Sequence, residues 1–410
     1  MKEYATVLLY AIPFFIVLIA IEFLIGRAKG VQTYRGFDTI SSLSSGMTNT
    51  LKEVLGLSIV IISYRWIYEH VALYEVEAKW WIYVICFIGL DFAGYWAHRF
   101  EHVINIFWNR HIVHHSSEEF NLACALRQPI SNVVALFTFL LLPTALLGVP
   151  PKVIAVIAPL HLFAQFWYHT RLINKLGFLE HIIVTPSHHR VHHAINDVYL
   201  DKNYGQIFIV WDKWFGTFQE ELSEVTPVYG VKRAVKTWNP ILINYQHLWL
   251  LIKDAFRTQR WKDKLQIWFK PTGWRPEDVS KKYPVESIAD PFSYEKYQTP
   301  SRPILSIWAW LQLTINLLLM LHMMYIIADI TIYQLFQYGL FLFVSIYGYT
   351  ALMDHSKQAI VAEIFKMGIV ISIIYMQGTW FGIAAFVIIS YSLISVLSSC
   401  YFLLFQNNHV

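Results

Sequence analysis

The sequence predicts an all-α, polytopic membrane protein, and three observations carry that prediction. Of 410 residues, 56% are hydrophobic and 17% aromatic while only 15% are charged, a balance far from that of a soluble domain. Apolar runs of roughly 20 residues, the length a helix needs to cross a bilayer, recur along the chain. Histidines are the third: 12 of the 17 fall between His98 and His193. The net charge of +4 is too small to point to a nucleic-acid partner. Cys86, Cys124 and Cys400 are scattered, which excludes a disulfide framework and a thiolate zinc ribbon.

The first apolar run, about Val7 to Ile25, contains Pro13 and Glu22 and ends in the basic GRAKG. It has no long basic stretch ahead of it and no small-residue cleavage site, so it reads as a retained membrane helix rather than a signal peptide. A second span is expected near 46–66, interrupted by Lys52 and Glu53 at the interface, and a third near 80–96 that delivers His98 to the membrane surface. Residues 129–169 are apolar but broken at LGVPPK, and two halves of about 20 residues fit a hairpin that enters and returns on one side. Residues 171–303 differ in kind. They hold 19 of the 32 Lys and Arg, with many Trp and Pro, and read as a polar part lying against the membrane. Their basic excess, with Arg27, Lys29 and Arg35 after the first span, puts this part and the histidines around it on the cytoplasmic side. LWLLIKDAFRTQRWKDKLQIW fits a helix resting on anionic headgroups, or equally a solvated one. Four apolar runs near 304–327, 332–352, 359–376 and 379–405 make a C-terminal bundle, 304–410. It suits scaffold, lipid-facing wall or dimer contact; Glu363 and Lys366 are spaced to pair within it.

The chemistry concentrates in HRFEHVINIFWNRHIVHH and, downstream, PSHHRVHHAIND. On a helix, residues three and four apart share a face, so His98 and His102 point together, as do His111, His114 and His115, and again His189, His192 and His193. A lone histidine near a membrane is ordinarily a hydrogen-bonded core or interfacial residue. This many neutral imidazoles would each need partners for both ring nitrogens, and a metal removes that problem. His169 ends a stripe with His161 and Gln165 on an apolar helix and is a further ligand candidate. With eight or nine ligands, two ions are more natural than one. Imidazole suits iron, zinc, copper and nickel, and redox chemistry at an inert C–H bond would favour iron, with zinc still open. Asp91, inside the third span, is read as orienting a ligand imidazole through its other N–H, or equally as making a structural hydrogen bond to a neighbouring helix. His161, Gln165 and His188 are placed in the same supporting layer.

HxxxH, HxxHH and a later HxxHH flanking an apolar hairpin resemble the fatty acid hydroxylase and sterol desaturase superfamily. The blocks HHSSEEFNLACALRQ (His114 to Gln128), FWYHT (Phe166 to Thr170), TPSHHRVHH (Thr185 to His193), DKNYG with VWDKWFGTFQEE (Asp201 to Glu221) and KPTGWRP, with the four C-terminal spans, are similar to its ether-lipid-cleaving branch, the alkylglycerol monooxygenases. That likeness covers nearly the whole chain and implies a catalytic region over 1–303. It implies two iron ions held by His98, His102, His111, His114, His115, His169, His189, His192 and His193. It also implies dioxygen, a lipid substrate in the bilayer, and an external electron donor, tetrahydrobiopterin. Hydroxylation of the carbon beside the ether oxygen would give a hemiacetal, which falls apart to an aldehyde and a glycerol lipid. Two positions depart from the pattern. Gln165 stands where relatives often begin a third HxxxH, and Val103 stands where the animal alkylglycerol monooxygenases carry a glutamate. The second puts pterin use in doubt more than metal binding, with Glu101, Glu118 and Glu119 as nearby acids to take over. The same metal site could instead serve a sterol, a carotenoid or a fatty acyl lipid. A metal transporter is the rival from another class, and it would favour ligands spread near the bilayer midplane rather than gathered at helix ends.

Overall fold

Apolar helices and their breaks set the architecture. The computed structural model describes residues 2–404, so the end of the expected 304–410 bundle, residues 405–410, lies outside the described residues. Among these the chain is helical, with isolated bridges and no β-strand. Six helices are long and apolar enough to cross a membrane. They are α1 (Lys2–Ala28) and, after α2 (Gly36–Val54) and α3 (Tyr64–Val71), α4 (Trp80–Val103). Seven short or polar helices come next: α5 (Asn105–Trp108), α6 (Ile112–His115), α7 (Leu142–Leu146), α8 (Pro151–Phe163), α9 (Pro186–His192), α10 (Val210–Trp214) and α11 (Pro240–Arg257). Then follow α12 (Trp261–Gln266), α13 (Glu277–Lys282) and the remaining four apolar helices, α14 (Pro303–Tyr325), α15 (Ile332–Met353), α16 (Gln358–Gln377) and α17 (Ala385–Leu404).

Two expected membrane segments come out differently. The span expected near 46–66 is not one helix. α2 starts at Gly36 and stops at Val54, and it buries Ser41, Ser42, Ser44, Ser45 and Thr48 against protein rather than lipid. Lys52 is buried as well, donating to the carbonyls of Pro129 and Asn132 at 3.3 and 3.2 Å. Gly56, at φ +65, turns the chain, and Ile59 then runs extended beside 133–135. The 129–169 hairpin is also shorter than its apolar length suggested. Its helical pieces are Phe137–Leu146 and α8, 10 and 13 residues if counted as apolar helices, a length that suits re-entrant or interfacial placement. Pro143 and Pro150–Pro151 favour helix starts, and Gly148 at φ +76 favours a turn; together they consume the residues that a crossing would need.

The third span behaves as read and continues further, α4 carrying both His98 and His102 to its C-terminal end. α2 lies between this region and the C-terminal helices. One core unites Ile40 and Leu51 of α2, Trp238, and Leu313, Phe341 and Ile346 of α14 and α15, so it crosses residue 303. Ser44 and Tyr349 add a hydroxyl–hydroxyl contact of 2.6 Å across the same seam. Inside the C-terminal helices Lys366 and Glu363 pair at 2.5 Å, both fully buried, with Tyr391 lying under the ammonium.

A buried pair of this kind destabilises when broken rather than when replaced. Lys366→Met is expected to cost about 3–5 kcal/mol by stranding Glu363, and the double variant Lys366→Met/Glu363→Leu to recover most of it. Equilibrium unfolding in mixed micelles measures both; equal loss in the two variants would rule the pair out as the origin of the cost.

Candidate metal centre

All nine histidines singled out by spacing converge, but on two points rather than one. His98, His102, His111, His115 and His192 form one group, and His114, His169, His189 and His193 the other. Within each, one ring nitrogen per residue lies within 4.8 Å of the rest. Eight of the nine side chains are buried and His111 is half-buried. The split follows from local geometry. α6 is a single turn with His111 just ahead of it, so adjacent His114 and His115 diverge, one into each group. α9 does the same with His192 and His193. His115 and His193, from different groups, stack with ring centroids 4.2 Å apart, so the two groups share a wall.

The outer ring nitrogens are held by the backbone. His98, His114, His169 and His192 donate from Nδ1 to the carbonyls of Tyr204, Arg127, Gln165 and Lys202 at 2.8, 3.1, 3.1 and 2.9 Å. A donating Nδ1 leaves Nε2 as a bare lone pair in a neutral imidazole. His114 and His169 thus face each other at 3.3 Å, lone pair to lone pair, with no proton to share. His192 Nε2 is buried without a hydrogen-bond partner, and so is His189 Nδ1. Further Nε2–Nε2 separations are 3.0 Å (His98–His111), 3.1 Å (His102–His115), 2.8 Å (His169–His189) and 3.0 Å (His189–His193). Two nitrogens about 2.0–2.1 Å from one ion lie about 2.9 Å apart at a right angle and about 3.4 Å at the tetrahedral angle. The residues therefore fit a cation in each group. Burial, reinforced by neighbouring imidazoles, holds His111, His115, His189, His192 and His193 well below the ordinary histidine range, and burial pushes His114 down to about 4. Neutral imidazoles are the form a metal requires.

The supporting residues differ from those expected. Asp91 touches none of the nine. Its carboxylate accepts from His161 Nε2 at 2.8 Å, from the Ile207 and Phe208 amides, and from Trp211 Nε1, and so fastens the 207–211 segment to α4. Gln165 supports His169 through its carbonyl, while its side chain turns to His161 at 3.2 Å. His188 faces away to Glu180, 3.1 Å from its Nε2. The supports that sequence reasoning missed are mostly carbonyls, which carry no residue-type signal. Behind them, Asp212 takes the Tyr204 and Gly205 amides at 2.7 Å each and fixes the carbonyl that holds His98. Asp38 pairs with Arg127 at 3.0 Å, and Arg127 also donates to Ser42 and Ser116, fixing the carbonyl that holds His114. Glu101 lies 3.5 Å from His111 Nδ1, and Asp201 lies 3.6 Å from His102 Nδ1. A cavity of about 600 Å³ opens beside His102, His115, His192 and His193. It is walled by Trp108, Ile112, Leu250, Leu251 and Trp274 among others.

Six helices of membrane-crossing length, two histidine groups and an adjoining cavity are the setting in which the likeness to known proteins falls. Residues 83–217 match the fatty acid hydroxylase family model, a stretch that takes in α4 from Tyr83 onward and all nine histidines. The chain is homologous to the alkylglycerol monooxygenases. It is 40% identical to the Homo sapiens protein of that name over 270 residues, covering 65% of this chain and 59% of the human one. Identity is 38% over 269 residues with the Xenopus tropicalis protein and 39% over 273 with that of Danio rerio, with the same two coverages. The chain thus spans 59% of the length of these relatives. No solved structure matches it.

If both groups bind metal, the purified protein is expected to hold close to two ions per chain in an all-nitrogen and oxygen shell, read by elemental analysis and X-ray absorption. His114→Ala and His192→Ala are expected to lower metal content, whereas His70→Ala and His322→Ala, which touch Trp66 and Tyr338, leave it intact. Sulfur in the shell, or full occupancy in His114→Ala, would refute this ligand set.

Proposed function

We propose that the chain is an iron-dependent lipid monooxygenase that cleaves the O-alkyl bond of alkylglycerols, with its nine histidines as ligands to two iron ions. The facing Nε2 lone pairs inside a fatty acid hydroxylase region support this reading most directly. Homology to proteins named alkylglycerol monooxygenase supports the substrate. Bound iron would supply the reductive activation of dioxygen that an unactivated C–H bond demands. The chain's own residues do the rest. The carbonyls of Tyr204, Arg127, Gln165 and Lys202 fix ring orientation, and burial of the imidazoles keeps bulk water from the reacting carbon. The balance is one alkyl ether, dioxygen, two electrons and two protons in, and one hemiacetal and water out. The hemiacetal then separates into an aldehyde and a glycerol lipid. The basic residues of 171–303 favour a site on the cytoplasmic side.

Tetrahydrobiopterin is the first donor to try. Glu101, Glu118 and Glu119, the nearby acids that could stand in for the carboxylate absent at Val103, are already engaged with Arg110, with Tyr294 and Tyr297, and with Lys296 and Arg171. Asp201, by contrast, lines the cavity beside His102. Turnover of an alkylglycerol is expected with reduced pterin, and Asp201→Asn is expected to weaken pterin use about tenfold to a hundredfold. Activity only with a ferredoxin or cytochrome system would remove the pterin and leave the oxygenase. Oxidation of a sterol or acyl lipid, with no ether cleavage, would replace the substrate.

A further inference from the structure

The cavity beside the histidine groups has an unbalanced charge. Five charged side chains line it besides the histidines, and three are paired with an opposite charge. Lys232 pairs with Asp197 at 2.7 Å, and Glu286 with Lys236 at 2.7 Å. Arg275 forks onto Asp254 at 2.5 and 3.0 Å and also donates to the Tyr283 carbonyl. Asp201 stands against His102. Of the three cationic side chains described in the lining, Arg233 alone has neither a hydrogen bond nor an ion pair, although it is half-buried. Asp254, the carboxylate whose charge favours it, is already taken by Arg275, and Arg275 repels it; burial and that repulsion both disfavour its charge. A guanidinium held this way has its planar fork of N–H donors free, a geometry that matches two oxygens of a phosphate. Around it the wall is largely apolar, with Ile195, Leu200, Val231, Leu250 and Val285 beside the two tryptophans, and a volume of about 600 Å³ suits a small amphiphile.

We propose that this cavity contains a phosphate-binding subsite at Arg233, which receives the phosphate of a lipid headgroup while the same cavity opens on the histidines. The lipid source rests on the oxygenase reading; the anion site does not. A phosphate at Arg233 replaces the missing counter-charge, so binding removes a repulsion as well as adding hydrogen bonds. The subsite would favour ether lipids with a phosphorylated glycerol over neutral ones.

The test is equilibrium dialysis of the metal-loaded full chain in detergent under nitrogen, where binding is read without turnover. Three probes are used: a short-chain alkylglycerol phosphate, the matching neutral alkylglycerol, and inorganic phosphate. The wild type is expected to hold the phosphate-bearing lipid about tenfold to a hundredfold more tightly than the neutral one, and Arg233→Gln to bring that ratio close to unity. Arg233→Lys, which keeps the charge without the fork, should retain part of the preference and serves if the glutamine variant does not fold. Unchanged metal content shows that the variants retain the centre. Competition by inorganic phosphate at equal concentration would identify the free ion as the ligand of the same subsite; competition only in large excess identifies the lipid. A wild type without preference, or a variant that keeps the full preference, overturns the proposal. Admitting oxygen and a reductant afterwards separates the two readings: a lipid held at Arg233 but never oxidised defeats the oxygenase and leaves the subsite standing.

Discussion

Lone pairs turned toward one another are the constraint that the rest of this structure serves. His114 and His169 meet at 3.3 Å with both Nδ1 protons spent on backbone carbonyls, an arrangement that is repulsive unless a cation lies between them. Holding it requires a rigid frame, and the frame is visible at each step outward. Tyr204 gives its carbonyl to His98, and Asp212 ties down the Tyr204 amide. Arg127 gives its carbonyl to His114 while its guanidinium is fixed by Asp38, Ser42 and Ser116. The ionised groups here therefore act at one remove, by fixing backbone.

The same logic explains ionisable residues in apolar helices. Glu22 of α1 is buried toward the C-terminal end of a largely exposed helix, where it accepts from Tyr34, the Leu122 amide and Thr170. Leu122 and Thr170 belong to the segments that carry the histidines, so the acid anchors a membrane helix to the centre. Asp91 does this for α4 and the 207–211 segment. A charge at membrane depth is costly, and each is retained where it collects several donors at once. α2 shows the limit of reading such residues from hydropathy: its serines and Lys52 face protein, and it packs with α14, α15 and α11 instead of crossing on its own.

Legibility in the sequence tracked how far each feature depends on side-chain type. The nine histidines were readable because their density has no other economical explanation, and spacing on α4 was readable because HxxxH fits one helical face. The four C-terminal helices followed from apolar length. Two centres were expected from the number of ligands, but which histidine joins which group was not readable. HxxHH looks like one fan on an ideal helix, whereas α6 has only four residues and begins after His111. Of the two readings of Asp91, the structural hydrogen bond to a neighbouring helix is the one found. Its depth in the membrane marked it as important, but a sequence does not say which imidazole an aspartate will meet, and the one it meets is His161. Backbone carbonyls were invisible in principle, since every residue has one.

The division itself has a consequence for chemistry. Because neighbours in sequence, His114 with His115 and His192 with His193, serve opposite groups, one turn of α6 and one of α9 set the separation between the groups. The two groups are tied to each other at two places through adjacent Cα atoms about 3.8 Å apart. The stacked His115 and His193 rings, 4.2 Å between centroids, close the gap from both sides. Ligands for two independent ions could be shared out by helix, one cluster to each ion. Alternating them residue by residue fixes the spacing of the two groups, so any ions they held would sit at a set distance from each other. The cavity meets this wall through His115, His192 and His193, so a substrate there approaches both groups from one side.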